Sequence, residues 1–137
     1  MAKPSDLKLK QGSLSDKEFM RYSAQIMLPE IGELGQIKLK NANVLIVGVG
    51  GLGAPVALYL AAAGIGHLYL ADDDHVELSN LQRQIIFTQA QLKQNKVSAA
   101  KDALTQLNPH IKVTTLAQRL TLDSGNRHMA NMFTQVD

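Results

Sequence analysis

Apolar positions in this 137-residue chain change period several times, and each change marks an element. Phe19, Tyr22, Ile26 and Met27 recur at helical spacing. Ser15 followed by Glu18 is a capping-box pattern in front of them. A helix is therefore expected from about Asp16 to Leu28, stopping before Pro29, whose ring disfavours helix in the residue ahead of it. A second short helix is expected near Leu34 to Leu39. Val44, Leu45, Ile46 and Val47 then run unbroken, the pattern of a strand buried on both faces. Ala54 to Ala63 is rich in alanine and leucine and reads as a buried helix ending at Gly64. "HLYLAD" is a second strand. Val97, Ala100, Leu104 and Leu107 predict a helix from about Lys96 to Leu107, halted at Asn108-Pro109. "IKVTTLA" is a third strand, and 123–134 reads as one more helix.

The order is strand, glycine loop, helix, strand, long connection with helix, strand. Such alternation argues for parallel strands joined by helical crossovers. The expected fold is α/β, a Rossmann-like doubly wound parallel sheet of about three strands preceded by N-terminal helices. Residues 1–42 would form a tail and helices packed on the core. Residues 43–137 would form a partial Rossmann-like domain.

Composition removes several function classes. A net charge of +2 without a local basic cluster, and 4% aromatics that do not alternate with basic residues, argue against nucleic acid. The absence of cysteine excludes disulfides, thiolate zinc sites and a cysteine nucleophile within this chain. His67, His75, His110 and His128 are scattered, with no pair at metal-ligand spacing, so no metal ligands are expected. The polar start "MAKPSDLKLKQGS" lacks a signal-peptide core, and the apolar run from Pro55 to Ile65 is too short to span a bilayer. A cytoplasmic protein without membrane contact is expected.

The candidate chemistry lies after the first two strands. Gly48-Val49-Gly50-Gly51-Leu52-Gly53 fits G-x-G-x-x-G between a strand and a helix. Its first glycine permits a tight turn, its second lets a ligand approach the backbone, and its third allows close helix–strand packing. The helix start then offers N–H groups and a positive dipole end to an anion. Asp72 comes 19 residues after Gly53, at the carboxyl end of the second strand, where a carboxylate can meet ribose hydroxyls. Asp73 reads as solvated. Asp74 suits a position near phosphates or a metal, and equally a turn. This much fits NAD or ATP. "SNLQRQ" (Ser79, Asn80, Leu81, Gln82, Arg83, Gln84) and Lys96, 13 residues after Arg83, supply amides and two cations. Cations converging on a phosphate-binding loop suit a triphosphate under attack, where developing charge must be offset. A surface arginine and a surface lysine are the alternative. No P-loop pattern is present, so a nucleotide would bind by the Rossmann-like route.

"RYSAQIMLPEIGELGQIKL", "VLIVGVGGLGAPVALYLAAAGIGHLYLADDD", "LSNLQRQIIF" and "NKVSAAKDALTQLNP" together resemble the ThiF/MoeB/HesA family, bacterial relatives of the ubiquitin-activating enzymes. The resemblance covers about residues 20–120. It implies an ATP-binding domain and adenylation of the C-terminal carboxylate of a small ubiquitin-like sulfur-carrier protein. Magnesium accompanies the ATP, and the pathway served is thiamine or molybdenum-cofactor synthesis. It places Gly51 and the glycine loop against the nucleotide and Asp72 on the ribose. Asn80, Arg83 and Lys96 fall on the phosphates, the two cations acting in catalysis. Ser79, Gln84 and Asp74 join the binding set.

The chain departs from the family in three respects. It looks like the N-terminal half of a member, with the magnesium aspartate, the later strands and the paired CxxC motifs beyond "FTQVD". Ala24 stands where the "RYxRQ" motif carries an arginine thought to reach the neighbouring subunit's ATP, while Arg21 is retained. Without a fourth strand, Val44–Val47 would expose an apolar edge. A homodimer or other self-association, a borrowed strand, or marginal stability is then expected. Two rival expectations stand beside the adenylyltransferase with incomplete catalysis: a non-catalytic nucleotide-binding module, and an NAD-dependent oxidoreductase fragment.

Overall fold

The computed structural model describes residues 12–121. The helix expected over 123–134, His128 and most of the N-terminal tail lie outside the described residues. The capping box forms: the Glu18 N–H donates to Ser15 Oγ at 3.2 Å, and the Ser15 N–H donates to Glu18 Oε2 at 2.8 Å. The helix it opens is not continuous to Leu28. It runs as α1 (Asp16–Arg21), breaks at Tyr22 and resumes as α2 (Ser23–Ile26). Tyr22 is buried, and its phenol oxygen accepts a hydrogen bond from Asn108 Nδ2 at 2.7 Å, 86 positions away. That long-range tie accompanies the break and is invisible to local periodicity. The next helix, α3 (Gly32–Asn41), extends past the expected Leu34–Leu39 at both ends.

Three parallel strands follow: β1 (Asn43–Val47), β2 (His67–Ala71) and β3 (Lys112–Leu116), in the spatial order β1-β2-β3. Helix α4 (Gly53–Ala63) links β1 to β2, and α5 (Lys96–Leu107) lies between β2 and β3. Val44 pairs across from Leu68, and Leu68 from Val113. Leu68, Leu70, Val49, Val97 and Leu104 are fully buried between sheet and helices. The connection before α5 holds two short 3-10 turns, Leu78–Asn80 and Gln89–Gln91, that no periodicity announced.

Two burial expectations are corrected. β1 is not fully buried: Val44 and Leu45 are half-buried and Val47 is 63% exposed, and the strand forms the edge of the described sheet that was expected for it. Nor is α4 buried all round. Val56 and Tyr59 are exposed on it, and Leu52 is exposed just ahead of it. The alanines that pack inward are Ala54, Ala57 and Ala61. No described helix is long and apolar enough to cross a membrane.

A buried polar network joins the N-terminal helices to the end of α4. Gln25 Nε2 and Gln36 Nε2 both donate to the Ala63 carbonyl, at 3.1 and 2.9 Å. Fully buried Asn108 donates from Nδ2 to Tyr22 and to the Ala61 carbonyl at 2.8 Å, and its Oδ1 accepts from the His110 N–H at 3.1 Å. Each buried polar group left without a partner costs about 1–3 kcal/mol. Asn108→Ala is therefore expected to lose about 3 kcal/mol of unfolding free energy, read from urea denaturation. A loss within the range of a surface substitution, about 0.5 kcal/mol, would refute the network's role.

Candidate functional site

The C-terminal ends of the three strands lie side by side, and each leads into a polar segment. β1 runs into the glycine loop. Gly48 adopts φ +88°, the left-handed region that turns the chain off the strand, and its N–H donates to the Ala71 carbonyl at 2.8 Å. Gly53 begins α4 against the strand end. A Cβ there would lie 1.7 Å from the Gly48 carbonyl oxygen and 2.8 Å from its carbon. This is the close helix–strand approach expected of the third glycine. The middle of the loop is open by comparison. A Cβ on Gly50 would first meet Gln84 Nε2 at 3.9 Å, and one on Gly51 would first meet Arg83 Cδ at 3.8 Å.

Asp72 stands at the end of β2 and fastens this loop. Its Oδ2 accepts from the Val49 N–H at 2.7 Å, and its Oδ1 accepts from the Asp74 N–H at 2.8 Å. Ionised carboxylate oxygens have further lone pairs, so hydroxyl donors can still be accepted. Asp73 is exposed, as expected.

The segment after Asp74 turns back on the approach to α5. The Val76 N–H donates to the Gln94 carbonyl, Lys93 to Val76, and Lys96 to Asp74, with His75 and Asn95 bridged antiparallel. This pairing seats Lys96 beside the acidic run. Its side chain is 6% exposed, and its Nζ lies 3.4 Å from Asp74 Oδ2. An ammonium carries three donors, and this one long contact engages one of them. Lys96 is thus not the surface lysine of the alternative reading.

Arg83 and Gln84 come from the turn that Ser79 and Asn80 shape. Asn80 Oδ1 accepts from the Glu77 N–H at 3.0 Å, and the Asn80 carbonyl accepts from the N–H groups of Arg83 and Gln84. The Ser79 carbonyl accepts from Arg83 Nη1 at 3.0 Å. Arg83 is exposed and passes over Gly51. Gln84 is 3% exposed beside Gly50, and its Oε1 finds no donor among the described residues. Of the residues singled out in the sequence, Arg83 and Gln84 reach the glycine loop directly, Asp72 latches it, and Lys96 stands behind Asp74. Ser79 and Asn80 present the arginine segment.

A cleft of about 230 Å³ opens over the strand ends. Val47, Gly48 and Ala71 form its floor with the acidic run Asp72–Asp74, and Gln118, Arg119 and Leu120 close its far side. Sequence reading missed this last group. Its signal was positional, since ligands of open α/β sheets bind outside the carboxyl ends of the strands, and these residues follow β3. Arg21 Nη1 donates to the Leu107 carbonyl at 3.2 Å, Ala24 is exposed on α2, and His67 Nε2 lies 2.8 Å from Thr114 Oγ1.

Comparison with known proteins bears on the fold and the family. The chain is 57% identical over 108 residues to the sulfur carrier protein ThiS adenylyltransferase of Escherichia coli K12, covering 79% of this chain and 43% of that protein. It is 51% identical over 111 residues to the adenylyltransferase and sulfurtransferase MOCS3 of Culex quinquefasciatus, covering 81% of this chain and 25% of that one. Among solved structures, PaaA superposes with a TM-score of 0.82 at 33% identity, over 96% of this chain and 44% of that one. The Escherichia coli tRNA N6-threonylcarbamoyladenosine dehydratase TcdA, solved with ATP, gives a TM-score of 0.79 at 29% identity, over 87% of this chain and 48% of that chain. The chain thus spans less than half the length of each of these relatives. The family model described as the ThiF family matches residues 22–137, and with that match the chain belongs to the ThiF family.

Proposed function

We propose that this chain supplies the nucleotide-binding half of an adenylyltransferase that activates the C-terminal carboxylate of a ubiquitin-like sulfur-carrier protein, of the ThiS kind, with ATP. The observation that carries the reading is a pair of cations, Arg83 beside Gly51 of the glycine loop and buried Lys96 beside Asp74 of the acidic run. A dinucleotide site has no need of both. The carrier's carboxylate oxygen would attack the α-phosphorus, the bond from that phosphorus to the bridging oxygen would break, and pyrophosphate would leave with the electron pair. Arg83 and Lys96 would hold the negative charge that builds on the phosphoryl oxygens and the leaving group. Asp72 would accept the ribose hydroxyls, and the α4 N-terminus would face the phosphates. Gln84 would turn its amide to the loop and ligand, and Ser79 and Asn80 would hold the arginine in reach.

The acidic run Asp72–Asp74 brings ligand oxygens within 4.8 Å of one another. These are hard donors of the type magnesium accepts together with phosphates and water. When bound, magnesium would neutralise part of the triphosphate charge. The fit is one of donor type, and none of the three is assigned as a ligand. Because the reaction consumes ATP, the cytoplasm is the proposed setting.

Calorimetry with Mg-ATP and with NAD tests the reading. ATP binding without NAD binding is expected, weakened about tenfold or more in Arg83→Ala, the size of one lost charge-assisted hydrogen bond. Binding of NAD alone would overturn it. Self-association is part of the proposal, since β1 carries no second neighbour strand among the described residues and ends in exposed Val47. Sedimentation equilibrium should show mass rising with concentration. A highly stable monomer at every concentration would count against it.

A further inference from the structure

We propose that Arg119 determines base recognition, its guanidinium lying against the face of the nucleotide's purine ring. The inference rests on the nucleotide reading above and extends it to a residue outside the glycine and arginine motifs. The three strand ends give the direction. The loop after β1 takes the phosphates, Asp72 at the end of β2 takes the sugar, and the segment after β3 comes next in line. Neighbouring strands lie ~4.8 Å apart, so the third strand end stands about 10 Å across from the first. That is the direction in which a nucleotide continues from phosphate through ribose to base.

Arg119 lines the same cleft as Gly48 and Asp72 and is the one basic side chain on its wall. It faces a cleft that also holds Asp72, Asp73 and Asp74, yet the ion pairs among the described residues are Lys40–Glu18 and Lys96–Asp74. Its guanidinium is therefore not committed to the acidic run. Free phosphate has better cationic partners at Arg83, beside Gly51, and at Lys96, beside Asp74. A neutral, flat, electron-rich ring suits a guanidinium face. No aromatic side chain lines the cleft, so Arg119 offers the planar cation there, above apolar Val47, Ala71 and Leu120.

The test is calorimetry on the full chain with two probes, Mg-ATP and magnesium tripolyphosphate, and two variants. Arg119→Ala is expected to raise the Kd for ATP about 5- to 10-fold, as a cation–π contact of ordinary strength implies, and to leave tripolyphosphate affinity unchanged. Arg83→Ala is expected to weaken both probes. Arg119 is exposed beyond the last described strand, so its variant should keep the wild-type melting curve. An Arg119→Ala variant that binds both probes as wild type does, or that loses both equally, overturns the base role alone. Wild-type protein that binds neither probe overturns the nucleotide site and the base role with it.

Discussion

Gly53→Ala is expected to lose on the order of 3 kcal/mol of stability, or more, and Mg-ATP binding with it. The new methyl would meet backbone, the Gly48 carbonyl group, and backbone cannot rotate aside as a long side chain can. Either α4 moves away from β1 or Gly48 leaves its bond to the Ala71 carbonyl. Both displace the loop that would cradle phosphates. Gly51→Ala is the matched control. Its methyl would find open space until Arg83 Cδ at 3.8 Å, so folding should survive while ligand approach is obstructed. Chemical denaturation and ATP titration of the two variants separate the roles. Equal stability of Gly53→Ala and wild type would show that the close approach at Gly53 is not what sets the loop.

Lys96→Met is expected to show the opposite balance. Burying an ammonium with one long contact to an exposed carboxylate is unfavourable, and replacing a buried charge with an apolar side chain of similar reach is often neutral or stabilising. The melting midpoint should stay level or rise. Mg-ATP affinity should fall about 10- to 100-fold, the value of a lost hydrogen bond between charged groups. Where the full catalytic site is assembled, carrier-dependent ATP–pyrophosphate exchange should fall a further step, about 10²-fold or more in total. A methionine variant that binds ATP normally would remove Lys96 from the site. One that unfolds would show instead that the lysine serves the fold.

The sequence was most informative where one residue type has one job. The Val44–Val47 run, the glycine loop and the Lys96–Leu107 periodicity located the sheet, the turn and the crossover helix, and "LSNLQRQ" separated this family from other glycine-loop proteins. What it hid was contact across distance. The break at Tyr22 goes with a bond to Asn108, and the burial of Lys96 depends on residues 74–76 pairing back against 93–96. Arg119 carries no motif around it, and only the alignment of strand ends brings it to the cleft. Val47 shows the converse: a continuous apolar run predicts cover on both faces, while Val47 stands exposed at the strand end where the cleft opens.

The two hydrogen bonds received by Asp72 have a consequence for redesign. In Rossmann-type proteins the acidic residue after the second strand is the usual place to retune which ribose is accepted, by exchange for a neutral or basic side chain. Here the same carboxylate holds the Val49 N–H with one oxygen and the Asp74 N–H with the other. Exchanging it would release the glycine loop and the start of the acidic run together. If Asp72 also accepts the ribose, as proposed, sugar preference and loop geometry would rest on one side chain, and a point mutation there would disturb both.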